Sequence, residues 1–111
     1  MKDNQNKVLS LIGMAKKAGK LITGTDMAVD AIRNKRDKVK LLFCSADASQ
    51  TTVKRIRNTS EYYKIPLCTL DFDKTELARI VGNRYGQTSV IAVTDEGFAK
   101  AMIEKLCVGQ K

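Results

Sequence analysis

Residues 39–46, VKLLFCSA, form a near-continuous apolar run of strand length. A strand with one wet face alternates apolar and polar residues, whereas one covered on both faces does not. The run therefore reads as a central strand with helices packed above and below it. Upstream, Val8, Leu11, Ile12 and Ala15 recur at i, i+3, i+4 and i+7. That spacing makes one stripe of an amphipathic helix, with Lys16 and Lys17 near its end and Gly19 as its C-cap. Leu21-Ile22 is a minimal strand, and a second helix opens near Thr25 with Ala28, Ala31 and Ile32 turned inward. Asn34-Lys35-Arg36-Asp37 is a polar break before the central run.

Downstream, Asp47-Ala48-Ser49 turns the chain into a third helix, with Val53, Ile56 and Tyr63 on one side. Its outer side, Lys54, Arg55 and Arg57, reads as a solvated face. Pro66 is expected to stop that helix, and Leu67-Cys68-Thr69-Leu70 is the next short strand. DKTE (73–76) matches a capping box, with Leu77, Ile80 and Val81 following at helical spacing. NRYGQTS (83–89) is a turn-rich loop, VIAVTD (90–95) another buried strand, and Asp95 the cap of a last helix packed through Phe98, Met102, Ile103 and Leu106. Helices and strands alternating over short connections predict an α/β fold, a three-layer α-β-α sandwich around a mixed sheet of about four strands. A length of 111 residues suits one compact domain, so residues 1–111 are read as a single unit.

Charge narrows the choice of partner. The chain carries 20 Lys and Arg against 12 Asp and Glu, a net +8, and no histidine. The excess is one-sided: residues 1–64 hold 14 basic and 6 acidic side chains, whereas residues 65–111 hold 6 of each. A small basic domain polarised in this way has the electrostatic footprint of a polyanion's partner. No apolar run approaches the roughly 20 residues that span a bilayer, and the N-terminus has no signal-peptide pattern. The expected setting is cytoplasmic and the expected partner nucleic acid, not membrane.

Several chemistries fail on spacing. GMAKKAGK (13–20) puts five residues between its glycines where a phosphate-binding loop needs four. Leu21 then stands where that loop needs a hydroxyl, and the segment ends a helix instead of opening one. Cys44 at a strand end has Gln50 six positions on, where a cysteine phosphatase needs arginine. Without histidine there is no Ser-His or Cys-His pair to activate a nucleophile. Asp71 and Asp73 read as turn and cap residues. Cys44, Cys68 and Cys107 lack metal-ligand spacing, and the first two read as small core residues. No catalytic residue, metal ligand, cofactor or small-molecule substrate is expected.

What remains is KLITGTDMAVDAIR (20–33), a strand, a turn at Gly24 and a helix start with two acids, Asp26 and Asp30. A helix N-terminus offers unpaired N–H groups and a positive dipole end, both suited to phosphate. Gly24 lets a nucleic-acid backbone approach closely. Lys16, Lys17, Lys20, Arg33, Lys35 and Arg36 flank it in sequence and can neutralise phosphates. Thr23-Gly24-Thr25-Asp26 also fits the capping-box spacing, with Asp26 accepting from a backbone N–H of the turn. Asp30 reads as a solvated helix-face residue.

The strings LIGMAKKAGKLITGTDMAVDAIR, LLFCSADAS, YYKIP, ELARIVG and VIAVTDEGFA, in that order, are similar to one family. The chain resembles the bacterial branch of the L-seven-Ae family of kink-turn RNA-binding ribosomal proteins, in particular the small members encoded beside translation initiation factor two. The resemblance covers nearly the whole chain. It implies an α-β-α sandwich that binds a sharply bent internal loop of RNA, with structured RNA, ribosomal RNA included, as partner. By position it assigns Gly24, Thr25, Asp26, Met27 and Asp30 to the RNA-binding turn and helix, flanked by Lys20 and Arg33. It assigns the loop Asn83 to Ser89 to the extruded base, where Arg84, Tyr85 and Gln87 can stack or hydrogen-bond. The family motif Gly-x-Asn-Glu-x-x-Lys has Asp26, Met27 and Asp30 in place of Asn, Glu and Lys here. An amide donates and accepts, whereas an ionised Asp26 only accepts. The alternative to RNA binding is a protein-interaction module on the same fold that has lost kink-turn affinity.

Overall fold

The computed structural model describes residues 2–34, 38–82 and 86–108. Helices and strands alternate through them: α1 (Lys2–Lys17), β1 (Leu21–Thr23), α2 (Thr25–Arg33), β2 (Leu41–Cys44), α3 (Gln50–Tyr63), β3 (Leu67–Thr69), α4 (Lys74–Ile80), β4 (Val90–Val93) and α5 (Glu96–Val108). The strands form one sheet in the order β1-β4-β2-β3. β4 runs antiparallel to both β1 and β2, while β2 and β3 are parallel, so the sheet is mixed as expected. α3 supplies the crossover that the parallel pair needs.

The two apolar runs, β2 and β4, occupy the middle and are buried at every residue. Their side chains alternate between two cores, as pleating demands. Leu41, Phe43, Ile91 and Val93 pack with Val8, Ile12 and Ala15 of α1, Leu77 of α4, and Ala99 and Met102 of α5. Leu42, Cys44, Val90 and Ala92 pack with Ala28, Val29 and Ile32 of α2 and Ile56 of α3. Two helical layers thus enclose the sheet, the three-layer sandwich read from the pattern. Cys44 lies within its apolar run as read, and Cys68 is half-buried against the first core. The side chain of Cys107 lies outside the described residues.

Most helix ends follow their sequence signals. Gly19, at φ 73°, follows α1, with the Lys20 N–H returning to the Ala15 carbonyl at 2.9 Å. Asp73 and Glu76 close a full capping box on α4, the carboxylate of each accepting from the other's backbone N–H. Asp95 accepts from the Phe98 N–H at 2.9 Å and caps α5. One end differs. α3 stops at Lys64, which adopts the left-handed conformation (φ 57°, ψ 47°), and the Ile65 N–H closes onto the Ser60 carbonyl. The chain has left the helix before Pro66, so the left-handed turn, not the proline, is the stop.

Candidate functional site

The end of β1 defines the site. Gly24 takes φ 98° and ψ 144°, a conformation open essentially to glycine, and turns the chain from strand into α2. Its N–H donates to the Val90 carbonyl at 2.9 Å, continuing the antiparallel pairing of Thr23 with Ile91. Val90 is where the chain returns from the loop that precedes β4. The start of α2 and the end of that loop are therefore neighbours across one hydrogen bond. Gln87 is exposed there, while Thr88 is buried and donates its N–H to the Lys74 carbonyl, and the Ser89 carbonyl accepts from the Ser45 N–H. Asn83, Arg84 and Tyr85 lie outside the described residues, as do Lys35 and Arg36.

The start of α2 carries no side-chain cap. Helix geometry leaves the N–H groups of Thr25, Asp26 and Met27 without an intrahelical acceptor. The capping role expected of Asp26 is not what the structure contains. Its carboxylate accepts instead from the Arg55 guanidinium of α3, an ion pair between two exposed side chains. The physical reason is that Gly24, not Thr23, is the N-cap residue, and glycine brings no side-chain oxygen to begin a capping box. Arg55, read from sequence as part of a solvated face, thereby becomes a partner of the α2 start. Asp30, one turn on, accepts from the Asn34 amide at 2.6 Å, a helical i, i+4 contact, so it is not a merely solvated residue.

Asp26, Met27, Val29, Asp30, Arg33, Asn34 and Arg55 line an open groove of about 560 Å³ between α2 and α3. Met27 is 60% exposed within it. Lys20 does not line this groove. Its carbonyl accepts from the Thr94 N–H and hydroxyl, at the far end of the β1–β4 pair from Gly24. From Lys20 to Gly24 is four steps along the chain, about 13 Å between α-carbons in extended conformation. The two reactive-looking features elsewhere are structural: Asp73 is a cap, and Cys44 is buried. Burial, then the charge of Asp47, pushes the Cys44 thiol above its ordinary pKa and holds it protonated.

Comparisons with known proteins bear on the chain as a whole. The sequence pattern of the ribosomal protein L7Ae/L30e/S12e/Gadd45 family matches residues 6–103.

The chain belongs to that family.

The RNA-binding protein YlxQ of Bacillus subtilis (strain 168) is 38% identical over 98 residues, covering 86% of this chain and 91% of its own. The RNA-binding protein YlxQ of Enterococcus faecium is 46% identical over 52 residues, covering 47% of this chain and 48% of its own, about half of each. Among solved structures, a protein of unknown function from Bacillus halodurans C superimposes with a TM-score of 0.80 at 32% identity, covering 91% of this chain and 97% of its own. The Giardia lamblia 15.5kD RNA binding protein superimposes with a TM-score of 0.77 at 18% identity, over 95% of this chain and 86% of its own. At that identity it speaks for the fold alone. The family resemblance read from the sequence is thus borne out over nearly the whole chain, as is the α-β-α architecture.

Sequence reasoning located the turn at Gly24 and its helix, but missed Arg55 and Asn34. The Asn34 contact was open to detection, because Asp30 and Asn34 stand four apart on one helix. Arg55 lies 29 positions from Asp26, and only the packing of α2 beside α3 on one face of the sheet joins them.

Proposed function

We propose that the protein is a non-enzymatic RNA-binding protein that recognises a structured, kink-turn-like RNA with the start of α2 and the loop before β4. The observation that carries this reading is the Gly24–Val90 hydrogen bond. It sets the Gly24 turn beside the end of the loop before β4, and the family resemblance assigns both segments, about 60 residues apart in the chain, to RNA. Three uncapped N–H groups, a glycine turn that a ligand backbone can approach, and an exposed Met27 suit a phosphate backbone and the face of an unpaired base. The net charge of +8 supplies long-range attraction to any polyanion. The names of the YlxQ relatives support RNA over other polyanions. Ribosomal RNA is the natural first source of such a loop to test.

A titration of one kink-turn RNA and one straight duplex of equal length, across several salt concentrations, tests the reading. The bent RNA should bind at least tenfold more tightly at every salt concentration. Equal affinities would leave only charge attraction and remove specific recognition. The protein-interaction reading draws support from Met27, which stands 60% exposed where the family motif has Glu; it is favoured if neither RNA binds.

A further inference from the structure

The groove between α2 and α3 holds two guanidiniums, Arg33 and Arg55, and two carboxylates, Asp26 and Asp30. We propose that Arg55, held at the groove by Asp26, is a phosphate-contacting residue that extends the RNA site from the start of α2 onto α3. The inference rests on the RNA-binding reading above and adds a residue that neither the family motif nor the matching strings assigns.

Four observations carry it. Arg55 does not serve the core: Ile56 and Ser60 fill the buried side of α3, while the Arg55 side chain is 46% exposed. Its partner is the most open carboxylate of the groove, with the Asp26 side chain 87% exposed. Exposed ion pairs of this kind contribute little to folding, so the pair can shift to admit a phosphate oxygen at small cost. A guanidinium has five N–H donors, so one that holds a carboxylate oxygen through Nη1 keeps donors for a second oxyanion. Finally, Asp26 and Asp30 alone would set two negative charges beside an approaching polyanion. Arg33 and Arg55 balance them one for one, which makes an RNA strand tolerable in a groove that the acids alone would close to it.

The test measures binding of the intact protein to a kink-turn RNA at several salt concentrations for the wild type, Arg55→Gln, Arg55→Lys and Lys100→Gln. Lys100 is an exposed cation of α5, on the other face of the sheet. Arg55→Gln should bind roughly tenfold more weakly at low salt, as expected for a lost charged hydrogen bond. Its dependence of log affinity on log salt should flatten by about 0.7–0.9, the signature of one phosphate contact. Arg55→Lys should keep the wild-type slope, and Lys100→Gln should match the wild type. Wild-type affinity and slope in Arg55→Gln would overturn the inference. So would a loss of affinity with an unchanged slope, which would confine Arg55 to holding Asp26. If the wild type binds bent and straight RNA equally, recognition of the bend fails, while the same slopes on the duplex still decide Arg55. If it binds neither, both fall.

Discussion

Two helix starts in this molecule look alike in sequence and are built differently. α4 opens at Asp73-Lys74-Thr75-Glu76, and α2 at Thr23-Gly24-Thr25-Asp26, each with an acid in the first turn. At α4 the side chains close on the backbone, Asp73 onto the Glu76 N–H and Glu76 onto the Asp73 N–H. At α2 the cap residue is a glycine with no side chain to offer, and the acid reaches across to Arg55 instead. The first arrangement satisfies donors that would otherwise need a partner, and it stabilises the fold. The second leaves those donors without a side-chain partner. An acid near a helix N-terminus is thus no proof of a cap, because the residue at the cap position decides whether a capping box can close.

The largest effect is expected where the open start depends on its glycine. Gly24→Val forces a β-branched residue to φ 98°, although a Cβ there meets nothing within 4 Å. The penalty is therefore conformational, about 1–3 kcal/mol in urea unfolding, and RNA affinity should fall more than tenfold. An unchanged midpoint would show that the turn relaxes and does not require glycine. Next comes the closed start. Asp73→Ala should cost about 1 kcal/mol of stability by removing a cap, with RNA affinity held at the wild-type value. A change in affinity as large as that from Gly24→Val would erase the distinction between the two starts.

Smaller effects sharpen the open side. Asp30→Lys replaces a carboxylate lining the α2–α3 groove with the cation of the family motif, and should tighten RNA binding severalfold at low salt. Binding unchanged at every salt concentration would place the phosphates elsewhere. Asp26→Asn should alter thermal stability by no more than about 0.5 kcal/mol, because it removes an exposed ion pair and no cap. A loss comparable to that of Asp73→Ala would mean that Asp26 does stabilise the helix start after all.

The fold was legible because its two central strands carry their burial in composition. VKLLFCSA and VIAVTD have no polar face to show, and every helix around them has an apolar stripe at helical spacing. The turn at Gly24 was legible too, because its conformation is one that other residues resist. The rest was hidden for identifiable reasons. The Asp26–Arg55 pair depends on how α2 and α3 pack on the sheet, which no local pattern encodes. The stop of α3 at Lys64 is a backbone conformation of an ordinary residue, whereas Pro66 advertises itself.

The central claim is that RNA meets the Gly24 end of β1 and not the Lys20 end, although lysines crowd the latter. Backbone amide chemical shifts, followed while a kink-turn RNA is titrated into the labelled protein, test it most directly. The account predicts the largest changes at Thr25, Asp26, Met27 and Gln87, with Lys16, Lys17 and Lys20 nearly unmoved. Changes centred on Lys16 to Lys20, or spread evenly along the chain, would contradict it.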